Sequence, residues 1–337
     1  MARSTRRDEA VLRAPRRARA AAASLAALAI LTLVGCSTKE HPGEPFADGS
    51  LEDRIYDLAA ERFVGRADLI AALAGADFAL LGERHDNPEH HRLQAELVSA
   101  LQQAGSRPRP VAFEMIPAER QIEIVEHRRR HPGDATGLGE ALGWDRSGWP
   151  DWRLNYAPIA QAAMDAGVEI VAADLSRSQI DEVMRRGPDA LRAPFLRRTG
   201  LDRHLPPPLF AALQDEIQEA HCGVVPEEAL GGMVQAQRAR DAMLADRLAA
   251  VAGRAGGILI AGAEHVRRDR GVPRYLARLR PDARILSLAF VETDQAQARL
   301  SRDLPYDFLW LTEPIERPDP CVEHREQLRG MAPVARS

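Results

Sequence analysis

Lysine is almost missing from this chain of 337 residues: Lys39 is the only one, so every cationic clamp inside a folded domain must be built from arginine. Cysteine is scarce too, at three residues, which is too few for a disulfide scaffold. Aromatic residues make up only 5% of the chain, so any local concentration of them is informative. No apolar run reaches the roughly 20 residues that a membrane-spanning helix requires. Two hydrolytic signatures are missing as well. No Gly-x-Ser-x-Gly elbow precedes a helix, which argues against a serine hydrolase, and no His-Glu-x-x-His occurs, which argues against a common zincin.

The N-terminus carries arginines at 3, 6, 7, 13, 16, 17 and 19, then a small-residue apolar run from Ala20 to Val34, then Gly35-Cys36. A basic segment, a short apolar segment and small residues before a cut form the secretory signal pattern. Leu33-Val34-Gly35-Cys36 resembles a lipobox, so residues 1–35 read as a signal peptide and Cys36 as the lipidated start of the mature protein. Ser37, rather than Asp, after the cysteine favours outer-membrane sorting, with the protein facing the periplasm. Removing seven arginines and two acids takes the formal net charge from −4 to −9, a poor balance for a nucleic-acid partner.

Residues 36–50, rich in Gly, Pro and polar side chains, read as a lipid-anchored tether, and 51–315 as the folded domain. Short apolar runs begin at Asp77, Pro110, Val168, Gly257, Ile285 and Tyr306. Their continuous rather than alternating character predicts strands buried on both faces, as in a parallel sheet. Helices alternate with them. One starts at Asn87-Pro88 and ends at Gly105, one spans about 158–167, and a long one runs from about Glu227 to Ala252. The expected fold is α/β, a mainly parallel central sheet flanked by helices. The stretch 176–256 reads as a helix-rich insertion or cap, and 316–337 as an irregular tail.

Charge collects after the strands. The first run ends in Gly82-Glu83-Arg84-His85, the second in Glu114, the third in Asp174, and the fourth in Gly262-Ala263-Glu264-His265. In open α/β sheets ligands bind beyond the carboxyl ends of the strands, so Glu83, His85, Glu114 and His265 are expected to share one cleft. Gln237 and Asp241, one helical turn apart, share a face that can turn toward it, although Arg240-Asp241 also reads as a surface pair. His90 and His91 are adjacent on one helix and read as solvated. His221-Cys222 lies in the expected insertion, away from any strand end.

The phrases LLGERHDNPEHH, VAFEMIPAERQ, GWPDWRLNYAPI, AQRARDAML, GAEHVRRDRGVPRYL and YDFLWLTEP resemble the ChaN family of haem-binding lipoproteins, over about residues 65–315. ChaN lies in a wider group with Tiki-type proteases and erythromycin esterases. The resemblance implies haem as cofactor, a tyrosine helping to hold it, a site between two subunits of a homodimer, and a role in haem or iron uptake. The residues leave several ligands open. Tyr156, in the tryptophan-rich segment Trp144–Tyr156, is the first tyrosine candidate and Tyr275 the second. His85 and His265 are suitable imidazole ligands, and Arg267, Arg268 and Arg274 are candidate propionate clamps. The alternative is a hydrolase of the esterase or peptidase type using Glu83, His85, Glu114 and His265 as acids, bases or ligands of a divalent metal. A purely structural role leaves the paired Gly-x-x-His units unexplained.

Overall fold

A computed structural model describes residues 53–105, 107–294 and 304–323. The expected signal peptide, Cys36 and tether lie outside these residues. An eight-stranded mixed sheet forms the centre, in the order β2-β1-β8-β7-β3-β6-β4-β5. Its strands are β1 (Ile55–Asp57), β2 (Arg62–Val64), β3 (Phe78–Glu83), β4 (Val111–Pro117), β5 (Ile170–Asp174), β6 (Gly257–Gly262), β7 (Ile285–Glu292) and β8 (Phe308–Thr312). The six strands β3–β8 pair in parallel. The hairpin β1–β2 joins antiparallel against β8. All six strands expected from the apolar runs are present.

Both faces of the parallel strands are covered. Ala79 and Leu81, Val111 and Phe113, Ile170 and Ala172, Ile258 and Ile260 point to one apolar core. That core is closed by α1 (Arg66–Ala74), α2 (Pro88–Ala104), α4 (Ala135–Ala141) and α6 (Ala157–Asp165). Phe78 and Leu80, Ala112, Val171 and Ala173, Leu259 and Ala261 point the other way. There α7 (Arg177–Arg186), α8 (Ala193–Thr199), α10 (Glu227–Val251) and α11 (Val272–Leu279) close a second core. The alternation of period two sends successive side chains to opposite faces, and because both faces are buried the sequence reads as unbroken apolar runs.

Local signals set the helix ends. Asn87 accepts the backbone N–H of Glu89 and His90, and Pro88 occupies the first turn of α2. Ser176 and Gln179 form a capping box at α7. The stretch 176–256 is helix-rich, as expected, and contains no strand. Its longest helix, α10, packs on α7, β5, β4 and β6 and is the crossover that carries the chain from β5 to β6. Helix α9 (Pro207–Ala220) buries a single side chain, Leu213.

The chain moves from β3 outward to β4 and β5, returns with β6 between β3 and β4, and then places β7 and β8 on the other side of β3. That reversal opens a crevice at the carboxyl ends of β3 and β6. Among the described residues no helix is long and apolar enough to cross a membrane.

Phe113 is fully buried in the first core, whereas Ile122 is 59% exposed. Phe113→Ala is expected to cost about 3–5 kcal/mol of stability through the cavity it leaves. Ile122→Ala is expected to change stability by no more than about 0.5 kcal/mol. Urea unfolding of both variants checks the contrast.

Candidate functional site

Strand ends and one helix build the site floor. β3 delivers Glu83 at its last position, and the chain turns back within two residues to place His85. Between Phe113 and Pro117 the pairing of β4 with β5 shifts register, and Glu114 lies in this irregular stretch. Such a break re-aims a side chain that regular pairing would send into a core. Glu114 Oε2 accepts the Gly262 N–H at 2.6 Å, which satisfies the end of β6. Two glycines allow the close approach. A Cβ on Gly262 would meet His85 Nε2 at 2.9 Å, and one on Gly82 would run into Val266 and the Ala263 backbone.

The four expected residues come together. His85 donates Nδ1–H to Glu83 Oε1 at 2.9 Å, and its Nε2 lies 3.7 Å from Glu114 Oε1. His265 Nε2 lies 3.2 Å from the same Glu114 oxygen. Helix α10 completes the cluster, and Arg240 and Asp241 are no surface pair. Arg240 donates to Glu114 Oε1 at 2.6 Å and to Asp174 Oδ2 at 2.6 and 2.8 Å. Asp241 Oδ1 accepts His265 Nδ1–H at 2.6 Å, and the Gln237 amide stands 3.2 Å from that ring. His265 and Asp241 are buried.

Beneath this floor, Tyr156 donates its hydroxyl to Glu83 Oε1 at 3.0 Å. His91 gives Nδ1–H to Asn155 Oδ1 at 2.7 Å and places Nε2 3.1 Å from Glu83 Oε2, an ionic contact without hydrogen-bond alignment. His90 accepts the Arg84 N–H at Nδ1 and donates Nε2–H to Thr312 Oγ1, both at 2.9 Å. His90 and His91 are therefore fully buried supports and not solvated. They point in different directions, one to the aromatic cluster of α5 (Trp152–Asn155) and α6, the other to β8.

Above the floor opens a cavity of about 810 Å³. Trp149, Ala220, Ala263, Phe290, Val291 and Leu309 supply apolar wall. Trp149 meets the His85 ring edge-on at a centroid distance of 4.7 Å. Arg84, Arg267, His221 and Tyr306 also line it. Several expectations change here. Tyr156 is fully buried with its hydroxyl committed to Glu83, so it presents no oxygen to the cavity. Tyr275 is packed in the second core on α11, and Arg274 is exposed outside the lining. Both are near His265 in sequence, but α11 carries them away. Arg268 pairs with Asp307 beside a different hollow, whereas Arg267 does reach the wall. His221, set aside on sequence grounds, lines the cavity because α9 ends over it. Cys222, next to it, forms a disulfide with Cys321.

Burial pushes the Glu83 carboxyl up, but the charge of His91 and the hydrogen bond from His85 outweigh it and hold the group at about 2. Burial works against a charged His265, yet Glu114 and then Asp241 raise it to about 10. Burial likewise disfavours charge on His85, but Glu114 and Glu83 raise it above its usual value. Glu114, despite burial, is held well below the carboxylate range by His265, His85 and Arg240. Burial lifts Asp241 to about 6. Among the described residues no group of three or more His, Cys, Asp or Glu side chains has the geometry to hold a metal ion.

Glu83, depressed in the folded protein, stabilises above its ordinary 4.5 and loses that contribution as pH falls toward about 2. His265, raised, contributes fully below its ordinary 6.5 and loses the contribution as pH climbs through about 10. Unfolding free energy measured across pH is expected to fall on both sides, with Glu83→Gln flattening the acid limb and His265→Gln the alkaline one.

A family model described as "Haem-binding uptake, Tiki superfamily, ChaN" matches residues 69–276. Among solved structures, ChaN of Campylobacter jejuni, described with cofacial haem binding, has a TM-score of 0.61 at 22% identity over 76% of this chain and 95% of that one. This likeness concerns the fold. The type III effector HopBA1 (TM-score 0.41, 14% identity, 80% of this chain and 100% of that one) and the erythromycin esterase EreC (0.40, 13%, 80% and 86%) resemble it more distantly. No curated protein matches. With the family model spanning more than half of its length, this chain belongs to the ChaN haem-binding uptake family of the Tiki superfamily.

Proposed function

We propose that this protein binds haem in the cavity above Glu83, His85, Glu114 and His265, and that it supports haem or iron uptake at the cell envelope. The observation that carries the reading is the cavity itself. Its volume of about 810 Å³ lies within the usual range for small-molecule sites, and its apolar wall suits a flat, largely apolar ring. Haem also needs cations for its propionates and a nitrogen or oxygen donor for its iron. Arg84 and Arg267 on the wall fit the first need, and imidazole and phenol side chains fit the second. Haem, when bound, supplies a redox-active iron centre; the chain's own part is to hold it and exclude water from it.

The electrostatics favour binding over hydrolysis. A general base works best with a pKa near the working pH. Glu83 and Glu114 are held far below it, and His265 and His85 are raised toward the protonated form. Glu83, Glu114 and His265 are therefore poorly matched to taking a proton from water at neutral pH. The same interactions make the floor a rigid, internally neutralised base for a ligand.

Hemin added to the full chain in detergent is expected to give a saturable Soret shift at one haem per chain, and sedimentation is expected to show two copies joining as haem binds. No Soret change sinks the haem reading. A monomer at saturation sinks only the homodimer carried over from the family. The envelope anchor rests on Cys36 and the preceding signal pattern. Cys36→Ala is expected to abolish incorporation of labelled palmitate and to release the protein from the membrane fraction. Unchanged labelling would dispose of the lipid anchor.

A further inference from the structure

We propose that His221, at the C-terminal end of α9, is the axial ligand through which this chain holds haem iron; the assignment rests on the haem reading above. His221 is half-buried and lines the cavity. It donates Nδ1–H to the Ile217 carbonyl at 2.7 Å. That bond fixes the tautomer, so the neutral ring carries its lone pair on Nε2. Among the described residues Nε2 has no partner. An imidazole whose other N–H is tied to a backbone carbonyl is the arrangement that orients metal-binding histidines and raises their basicity.

The other imidazoles at the cavity are engaged. His265 is clamped between Asp241 and Glu114. His90 uses both nitrogens, on the Arg84 N–H and on Thr312. His85 holds Glu83 with Nδ1, and its Nε2 faces Glu114 and lies against Gly262. The tyrosines fare worse as ligands. Tyr156 is sealed beneath the floor, Tyr275 lies in the second core, and Tyr56 sits in β1 at the edge hairpin. Tyr306 alone among them reaches the wall, and it is the oxygen donor that the test below separates from His221.

The backbone around His221 is built to hold it there. Helix α9 ends in a Schellman turn: Cys222 N–H donates to the Glu219 carbonyl and Gly223 N–H to the Gln218 carbonyl. The left-handed position of that turn, which usually holds glycine, is occupied by Cys222 at φ +59°. A residue with a Cβ costs about 1–2 kcal/mol there and persists where its side chain has a task. That task is the disulfide to Cys321, 99 residues away. On the cavity side Glu216 of α9 pairs with Arg270. A helix that buries only Leu213 is thereby pinned at the end that carries the imidazole.

The test is hemin titration of the full chain, reading visible spectra of the ferric form and of the reduced form under carbon monoxide. Wild-type protein is expected to show nitrogen ligation. His221→Ala and His221→Gln are expected to lose that signature and to bind hemin roughly tenfold or more weakly. Added imidazole is expected to restore the spectrum of His221→Ala. Variants that keep the wild-type spectrum overturn the assignment while leaving haem binding intact, as does a loss in His221→Ala that imidazole does not restore. Spectral loss confined to Tyr306→Phe overturns it too. No hemin binding by wild-type protein overturns the haem reading beneath it.

Discussion

A parallel sheet covered on both faces has only its ends for polar chemistry, and the rest of this molecule follows from that constraint. The side chains of β3, β5 and β6 before the strand ends, and those of β4 apart from Glu114 and Pro117, enter one apolar core or the other, where an unpaired charge would cost several kcal/mol. Glu83 and Asp174 close their strands, His265 follows β6, and Glu114 leaves the core pattern of β4 where its pairing with β5 shifts register. The return of β6 between β3 and β4 brings Glu83, Glu114 and His265 within hydrogen-bonding reach of one another or of shared partners.

Edge position alone does not make these groups tolerable, because they are buried there as well. Four carboxylates, of Glu83, Glu114, Asp174 and Asp241, are each 5% exposed or less. Each has a cationic or hydrogen-bonding partner: Arg240 spans Glu114 and Asp174, His265 spans Glu114 and Asp241, and Glu83 gathers Tyr156, His85 and His91. Removing one member would leave its partners as uncompensated buried charges, which is far more costly than never having had the pair. The network thus behaves as one unit. Its stiffness comes from that mutual dependence.

Much of this was legible in the sequence, for physical reasons that also mark the limits. Burial on two faces writes strands as continuous apolar runs, so β3 to β8 could be read. Charge following an apolar run marked Glu83, His85, Glu114 and His265, with a glycine ahead of it at Gly82 and Gly262. The hairpin β1–β2 could not be read, since three residues per strand are too few for any periodicity. His90 and His91 are neighbours on a helix wedged between the α6 layer and β8, so the usual inference that one of two adjacent polar residues faces water fails. Tyr275 and Arg274 show that closeness in sequence to His265 is not closeness in space, because Pro273 starts a helix leading away from the cleft. His221 carries no strand-end signal; only the path of α9 over the cavity brings it in.

The shortage of lysine and the acidic balance bear on how such a cleft would receive a dianionic ligand. Arg240, the most deeply committed cation, is held by two buried carboxylates and is unavailable. Arg84 stands 3.3 Å from the half-exposed Asp86 and 3.6 Å from the buried Glu292, whereas Arg267 pairs with Asp269 and Glu264, both reached by solvent. Exposed pairs of this sort contribute at most about 1 kcal/mol each, because water screens them and side-chain entropy opposes them. A propionate arriving at Arg267 trades a weak pair for a better-shielded one at the cavity wall. The floor is fixed by strong buried pairing, Arg84 is shared between Asp86 and the buried Glu292, and Arg267 is held by weak surface pairing, so Arg267 is the wall cation that a ligand can take over without disturbing the base of the site.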